Sequence, residues 1–245
     1  MQDSLGDRMK RHEAASKILL PLRTYTVVRI DGCHFHTYTK HLRKPFDSAL
    51  VEAMQEATKR TAEAIQGCKL AYVQSDEASF LLTDFESITT DAWYGNQLQK
   101  IVSVAASTFT SYFNFKRAEQ VDIANYSQRL ATFDARAFTL PDRVEVMNYF
   151  LWRIKDAERN SLSSLCQSLY SHKELMGRNS SQQQELLFQK GVNWNDIDGI
   201  QKRGTLMFRE HLIQDGSLIG DGAWVATTAP REKERLLDLI PMKTI

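Results

Sequence analysis

Three cysteines in 245 residues, Cys33, Cys68 and Cys166, are too few, too far apart and odd in number for a disulfide framework. They suit a reducing compartment. No run reaches the ~20 consecutive apolar residues of a membrane-spanning helix. The charged N-terminal stretch (Asp3, Asp7, Arg8, Lys10, Arg11) has no apolar secretory region. A cytoplasmic location with no membrane partner is the expectation. Neither sign of charge is in excess: 31 Lys and Arg face 30 Asp and Glu, a formal net charge of +1. Net charge therefore announces no nucleic-acid partner and leaves only a local basic face to look for. Internal repeats are absent too. With 42% hydrophobic residues the chain can still bury one sizeable core, or one core with a helical annex.

Patterning sets out the elements. Residues 6–18 read as a short helix stopped by Pro21. The apolar, β-branched run Tyr25, Thr26, Val27, Val28, Arg29, Ile30 predicts a first strand, and a loop through His34, Phe35, His36 and Tyr38 leads to Lys44-Pro45. Leu50, Met54, Ala57, Thr61 and Ile65 recur at helical spacing over 48–65, with Gly67 as the C-cap. Strands are predicted over 69–74 and 78–83 on either side of a tight Ser75-Asp76-Glu77 turn. A helix over 96–115 and a short strand over 131–138 follow. The order β-α-β-β-α-β is the split βαβ arrangement, an α+β, ferredoxin-like fold with an antiparallel sheet. Pro141-Asp142 opens a third helical region, and helical patterning resumes at Leu162, Leu165 and Leu169. The polar stretch 177–204 predicts short helices and loops. Beyond it Thr205 to Phe208 is strand-like, with a hairpin near Gly216, Gly220, Gly222 and Trp224.

Two acidic stretches close strands: Arg29-Ile30-Asp31-Gly32 and Gln74-Ser75-Asp76-Glu77. A carboxylate at the end of a buried strand is costly unless a cation or hydrogen bonds compensate it. In a split βαβ sheet the ends of the two central strands lie side by side, so Asp31 and Asp76 can face each other. Two such carboxylates repel and raise one pKa; a divalent cation between them removes the conflict. Gly32 lets the backbone approach, offering its carbonyl as a third ligand. A magnesium site of this kind handles nucleotide phosphates. Both aspartates equally read as ordinary turn formers. Glu77 is either a helper or merely exposed. Lys44 is a candidate to neutralise a triphosphate, or a solvated surface lysine. Cys33, His34 and His36 lack a second cluster at zinc-ligand spacing, so zinc is set aside. Phe35 is a core residue or a base-stacking platform. Lys100, Lys116, Arg117, Arg136, Arg153, Lys155, Arg159, Lys202 and Arg203 are scattered candidates for an RNA backbone. Arg153, Arg159 and Asn160 share two turns of one helix as a phosphate-facing stripe.

Together, Arg29-Ile30-Asp31-Gly32-Cys33-His34-Phe35-His36, Lys44-Pro45 and Ala71-Tyr72-Val73-Gln74-Ser75-Asp76-Glu77 resemble the catalytic half of the tRNA(His) guanylyltransferase superfamily, the 3′–5′ nucleotide-adding RNA polymerases. The resemblance continues through Leu98-Gln99-Lys100-Ile101, Phe133-Asp134-Ala135-Arg136, Trp152-Arg153 with Asp156, and Lys202-Arg203-Gly204-Thr205. It is densest from 21 to 165. One departure points to a branch. Where the eukaryotic enzymes have His-Ile-Asn-Asn after the Trp-Arg pair, this chain has Glu158-Arg159-Asn160-Ser161. That stretch and Leu5-Gly6-Asp7-Arg8-Met9-Lys10 are similar to the bacterial and archaeal guanylyltransferase-like proteins.

The resemblance implies a polymerase palm-like catalytic region over 1–140, with a helical and C-terminal region over 141–245 packed on it in one compact chain. It implies template-dependent repair of tRNAs shortened at the 5′ end, after activation of the 5′-monophosphate by ATP. Asp31 and Asp76 are then the catalytic ligands of two Mg²⁺ ions, with Gly32 lending its carbonyl. Arg29, Cys33, His34, Phe35, His36, Lys44, Ser75 and Glu77 fall at the nucleotide. Lys100, Arg136, Arg153, Arg159, Asn160 and Lys202 fall at a second nucleotide or the tRNA. ATP and GTP or another NTP are the implied substrates, tRNA the partner, and a homotetramer built as a dimer of dimers the assembly. Untemplated addition of guanylate to histidine tRNA, a palm-type nucleotide cyclase and a tRNA-binding module without catalysis remain the alternatives.

Overall fold

The computed structural model describes residues 3–120, 130–214 and 217–243. The strands are β1 (Tyr25–Gly32), β2 (Cys68–Gln74), β3 (Glu77–Leu82), β4 (Phe133–Leu140), β5 (Thr205–Gln214) and β6 (Ser217–Thr228). They form one sheet in the order β4-β1-β3-β2-β5-β6, with every neighbouring pair antiparallel. β1 and β2 thus run the same way on either side of β3, which is the expected split βαβ arrangement. The helices are α1 (Leu5–Ala14), α2 (Phe35–Tyr38), α3 (Ser48–Ala64), α4 (Leu98–Gln120), α5 (Arg143–Leu169), α6 (His172–Leu175), α7 (Ser180–Gln189), α8 (Gly199–Arg203) and α9 (Lys233–Asp238).

The strand pleat sorts side chains onto two cores. Val28, Ile30, Ala71, Val73 and Phe80 pack with Met54 and Ala57 of α3 and with Ile101, Phe109 and Phe113 of α4. Tyr25, Val27, Leu70, Tyr72 and Leu81 pack on the opposite face with Val146, Phe150 and Ile154 of α5 and Leu236 of α9. Burial on both faces explains why β1, β2 and β3 read as nearly continuous apolar runs rather than strict alternation.

Caps fix where the long helices begin. Asp47 Oδ1 accepts from the Leu50 N–H at 2.8 Å and Asp142 Oδ1 from the Glu145 N–H at 2.8 Å. Each such cap contributes about 1 kcal/mol. α5 runs unbroken for 27 residues where the patterning suggested two stretches. The polar 155–160 segment stays helical because Ile154, Ala157, Ser161 and Leu162 keep a buried stripe through it. α1 stops at Ala14, short of residue 18, and buries none of its residues. β5 reaches Gln214, beyond the expected Phe208, and pairs with both β2 and β6, so the sheet itself continues past residue 140. The expected hairpin is β5–β6; Gly216 lies outside the described residues.

Candidate active site

The end of β1 meets the β2–β3 turn. Asp31 is paired with Glu77 across the strands, and the Gly32 N–H donates to the Asp76 carbonyl at 3.1 Å. Gln74 pairs with Glu77, which leaves Ser75 and Asp76 as a two-residue turn. Ser75 sits at φ +53°, a left-handed conformation that costs a non-glycine residue on the order of 1 kcal/mol and concentrates at functional sites. Gly32 is required by the closeness of this junction. A Cβ there would lie 2.7 Å from Cγ of the Phe35 ring and 3.0 Å from the Asp76 Cβ. Gly32→Ala is therefore expected to lower stability by about 1–3 kcal/mol, read by thermal melting.

The carboxylates differ in setting. Burial pushes the Asp76 carboxyl above the ordinary carboxylate range, its own backbone N–H and the Ser75 hydroxyl pull it part of the way back, and the charge of Asp31 pushes it up again. Burial likewise raises Glu77, against the opposing charges of Arg153 and Arg29. Glu77 is not the exposed residue that one reading allowed. Arg153 grips it through two bonds, Nε to Oε1 at 2.6 Å and Nη2 to Oε2 at 2.8 Å, and Nη2 also reaches Asp156 at 3.0 Å. Arg159 and Asn160 close on the same Asp156. Behind Glu77, the hydroxyls of Ser79 and Tyr149 share a buried hydrogen bond at 2.8 Å.

Cations border Asp31 loosely. Arg29 Nη2 lies 4.0 Å and Arg136 Nη2 3.7 Å from its carboxylate. Arg29 and Arg136 are register partners on β1 and β4. The buried Nε of Arg29 makes no hydrogen bond and faces the Glu77 carboxylate at 4.0 Å, so Arg29 lies between the two carboxylates of the rim. On the β2 side of the turn an open cleft of about 140 Å³ is floored by Leu50, Val51, Met54 and Val73 and rimmed by Asp47, Gln55, Gln74, Ser75, Asn160, Gln201 and Thr205. An apolar floor with a few polar groups is the usual form of a small-molecule pocket. Gln55 Nε2 donates to Thr205 Oγ1 across it at 2.7 Å.

Other residues singled out from the sequence fall elsewhere. Phe35 takes the core reading, packed against Tyr38, Phe113 and Phe133. The segment coils into α2 after His34 turns at φ +53°, leaving His34 and His36 exposed and Cys33 half-buried. Cys33 Sγ lies 4.0 Å from Asp134. Lys44 is exposed beside the mouth of the cleft, which Pro45 lines. Lys100 is separated from the site: α4 begins by the start of β1, where the Leu20 N–H donates to the Asn96 carbonyl and Asn96 Nδ2 to the Pro21 carbonyl, while Asp31 stands at the other end of that strand. Lys202 is buried, donates to the Asn195 carbonyl and lies over the Trp194 ring, so it is not an open phosphate contact. Lys116 pairs with Glu52 and Glu119, and Arg117 is buried against Tyr38 and Gln120. Asp47, Gln55 and Thr205 line the cleft without having been singled out. Asp47 carries a sequence signal, an aspartate three residues before Leu50 at a helix start, but a cap does not by itself announce a pocket.

The donor set at the rim suits magnesium. Among the described residues no group of three or more His, Cys, Asp or Glu side chains could hold a metal ion. Two carboxylates and a backbone carbonyl match a cation that keeps several waters and is completed by substrate phosphates. Among the described residues no helix is long and apolar enough to cross a membrane.

Comparison with known proteins places these features in a context. The family model described as tRNAHis guanylyltransferase matches residues 6–141. The tRNA(His) guanylyltransferase of Schizosaccharomyces pombe is 32% identical over 228 residues, covering 88% of this chain and 84% of that protein. Among solved structures, a bacterial tRNA(His) guanylyltransferase-like protein in complex with ATP superposes with a TM-score of 0.87 at 43% identity, over 98% of this chain and all of that one. The structure from Saccharomyces cerevisiae, a tRNA(His) guanylyltransferase, gives 0.68 at 26% identity over 85% of this chain and 93% of that one.

Proposed function

The chain belongs to the tRNA(His) guanylyltransferase family, and we propose that this nucleotidyltransferase, which adds nucleotides at the 5′ end of tRNA with ATP and GTP, takes its instruction from the opposite strand and rebuilds shortened 5′ ends. Position 158 carries the templated reading. The resemblance to the eukaryotic enzymes implies a histidine there; Glu158 of this chain instead accepts from Arg231 Nε at 2.6 Å. The site thus presents a neutralised carboxylate beside Arg159 and Asn160 rather than an imidazole. The greater similarity to the bacterial guanylyltransferase-like protein than to the yeast enzyme supports the same branch.

Asp31, Asp76 and the Gly32 carbonyl are the groups that would hold two magnesium ions. Bound there, magnesium supplies neutralisation of triphosphate charge and a more acidic attacking hydroxyl. The chain's own residues position the substrates, which is most of what phosphoryl transfer asks of a protein. The cleft receives the base of the activating nucleotide, with Ser75 and Lys44 toward its phosphates. Arg29 and Arg136 meet phosphate oxygens on the β1–β4 side, beside Asp31. Arg153 holds Glu77, and with it the turn that presents Asp76. The 5′-monophosphate of tRNA attacks the α-phosphate of ATP and pyrophosphate leaves. The 3′-hydroxyl of the incoming NTP then attacks the activated 5′ phosphorus and AMP leaves.

A cytoplasmic protein assembled as a dimer of dimers is part of the same proposal. The wholly exposed α1 and the exposed Tyr112 and Phe115 of α4 support an assembly. The test offers 5′-shortened and full-length tRNA with each NTP in turn. Incorporation of the complementary nucleotide alone, on shortened tRNA alone, is expected. Guanylate addition regardless of the opposite base would overturn templating, and cyclic nucleotide from ATP without RNA would identify a cyclase.

A further inference from the structure

We propose that Trp152 is a stacking platform for a nucleobase at the catalytic rim, a role that rests on the nucleotidyl-transfer reading above. The four tryptophans fall into two groups. Trp93, Trp194 and Trp224 are 8%, 7% and 9% exposed, whereas Trp152 is 50% exposed. A single exposed apolar residue is ordinary; this one is held in place by its neighbours. The Arg153 guanidinium lies over its ring at 4.4 Å, and the Tyr149 ring meets it edge-on at 6.0 Å and 64°.

Both supports are anchored to the strands that build the rim. Arg153 is fixed by its two bonds to Glu77 on β3. Tyr149 is fixed by the hydroxyl of Ser79 on β3 and by an edge contact with Phe138 on β4 at 5.5 Å. Arg136 and Phe138 stand two residues apart on β4 and so share a face. Trp152, reached from Phe138 through Tyr149, therefore stands along the sheet edge that carries Arg136. The cleft lies on the opposite side of the catalytic turn, toward β2 and β5.

Addition at a 5′ end needs two bases held at once, and the cleft takes one. An aromatic plane on the side of the rim that carries Arg29 and Arg136 offers the combination of stacking and phosphate contacts that holds a nucleotide without reading its identity. Sequence tolerance is what templated addition requires of such a support, because the opposite strand does the choosing.

The experiment follows tryptophan fluorescence of the full chain in two arms, 5′-shortened tRNA without nucleotide and complementary NTP with magnesium but no tRNA. A quench is expected in at least one arm. The tRNA arm would identify the base at the acceptor end, the NTP arm the incoming base. Trp152→Phe is expected to abolish the quench and to hold kcat/KM within about threefold, while Trp152→Ala lowers kcat/KM for addition by about 10- to 100-fold. The melting temperature of Trp152→Ala should match the wild type. An unquenched wild-type protein, a quench that persists in Trp152→Phe, or wild-type addition by Trp152→Ala would each overturn the proposal. Wild-type addition is scored in the same assay. Its absence would overturn the transfer reading, whereas its presence without dependence on Trp152 overturns only the platform.

Discussion

Asp76→Asn is expected to abolish both activation by ATP and nucleotide addition, by at least about a thousandfold in each step, while the melting temperature holds or rises. Two opposed effects meet at this residue. Its carboxyl is raised by burial and by the charge of Asp31, so in the protein alone the ionised form is a load on the fold. An amide of the same shape removes that load without opening a cavity. The same negative charge is what would hold magnesium against a triphosphate, and both transfers need it. Separate assays of adenylylated tRNA and of extended tRNA, together with a melting curve, test the two halves. Addition retained by Asp76→Asn at ordinary magnesium, or a large fall in melting temperature, would refute the assignment of Asp76 as a metal ligand on a strained junction.

The juxtaposition of Asp31 with the 75–77 turn was legible because it follows from element order. A split βαβ sheet puts β3 beside β1, and the antiparallel register then carries Asp31 to Glu77. Strand ends are short-range information, and both acidic stretches sit at strand ends. The partner of Glu77 was not legible, since Arg153 lies 76 residues away and is delivered by the packing of α5 across the sheet. Burial of Phe35 between two exposed histidines was not legible from a loop reading of that stretch, because it follows from the helical turn of residues 35–38. Basic residues were the least legible. Lys100 and Arg136 look alike in a sequence, yet one lies by the start of β1 and the other beside Asp31. Burial of Lys202 follows from the Trp194 and Asn195 turn, which no periodicity announces.

Arg153→Ala is expected to cost about 3 kcal/mol, since it leaves the buried Glu77 carboxylate without its two hydrogen bonds and with only Arg29 4.0 Å away, and to lower the melting temperature by roughly 6–12 °C for a chain of this size. The two side chains are 10% and 13% exposed, so solvent offers little compensation. Asp156 loses a partner at the same time and keeps Arg159. Removing both charges separates stability from function. In Glu77→Gln/Arg153→Met both members of the bidentate pair are gone while Arg29 keeps Asp31 at 4.0 Å, and most of the lost stability should return, because replacing both members of such a pair with well-packed residues is often neutral. Activity should not return with it. Glu77 follows Asp76 directly in the chain, and the paired bonds from Arg153 are what fix the orientation of that turn against β1. The double variant is therefore expected to melt near the wild-type temperature and yet remain at least about tenfold slower in both steps, the loss a modest misplacement of a reacting group brings. Recovery of activity together with stability would mean that Arg153 serves the fold alone. A single variant that kept its melting temperature would mean that the Glu77 carboxylate reaches water when its partner is removed.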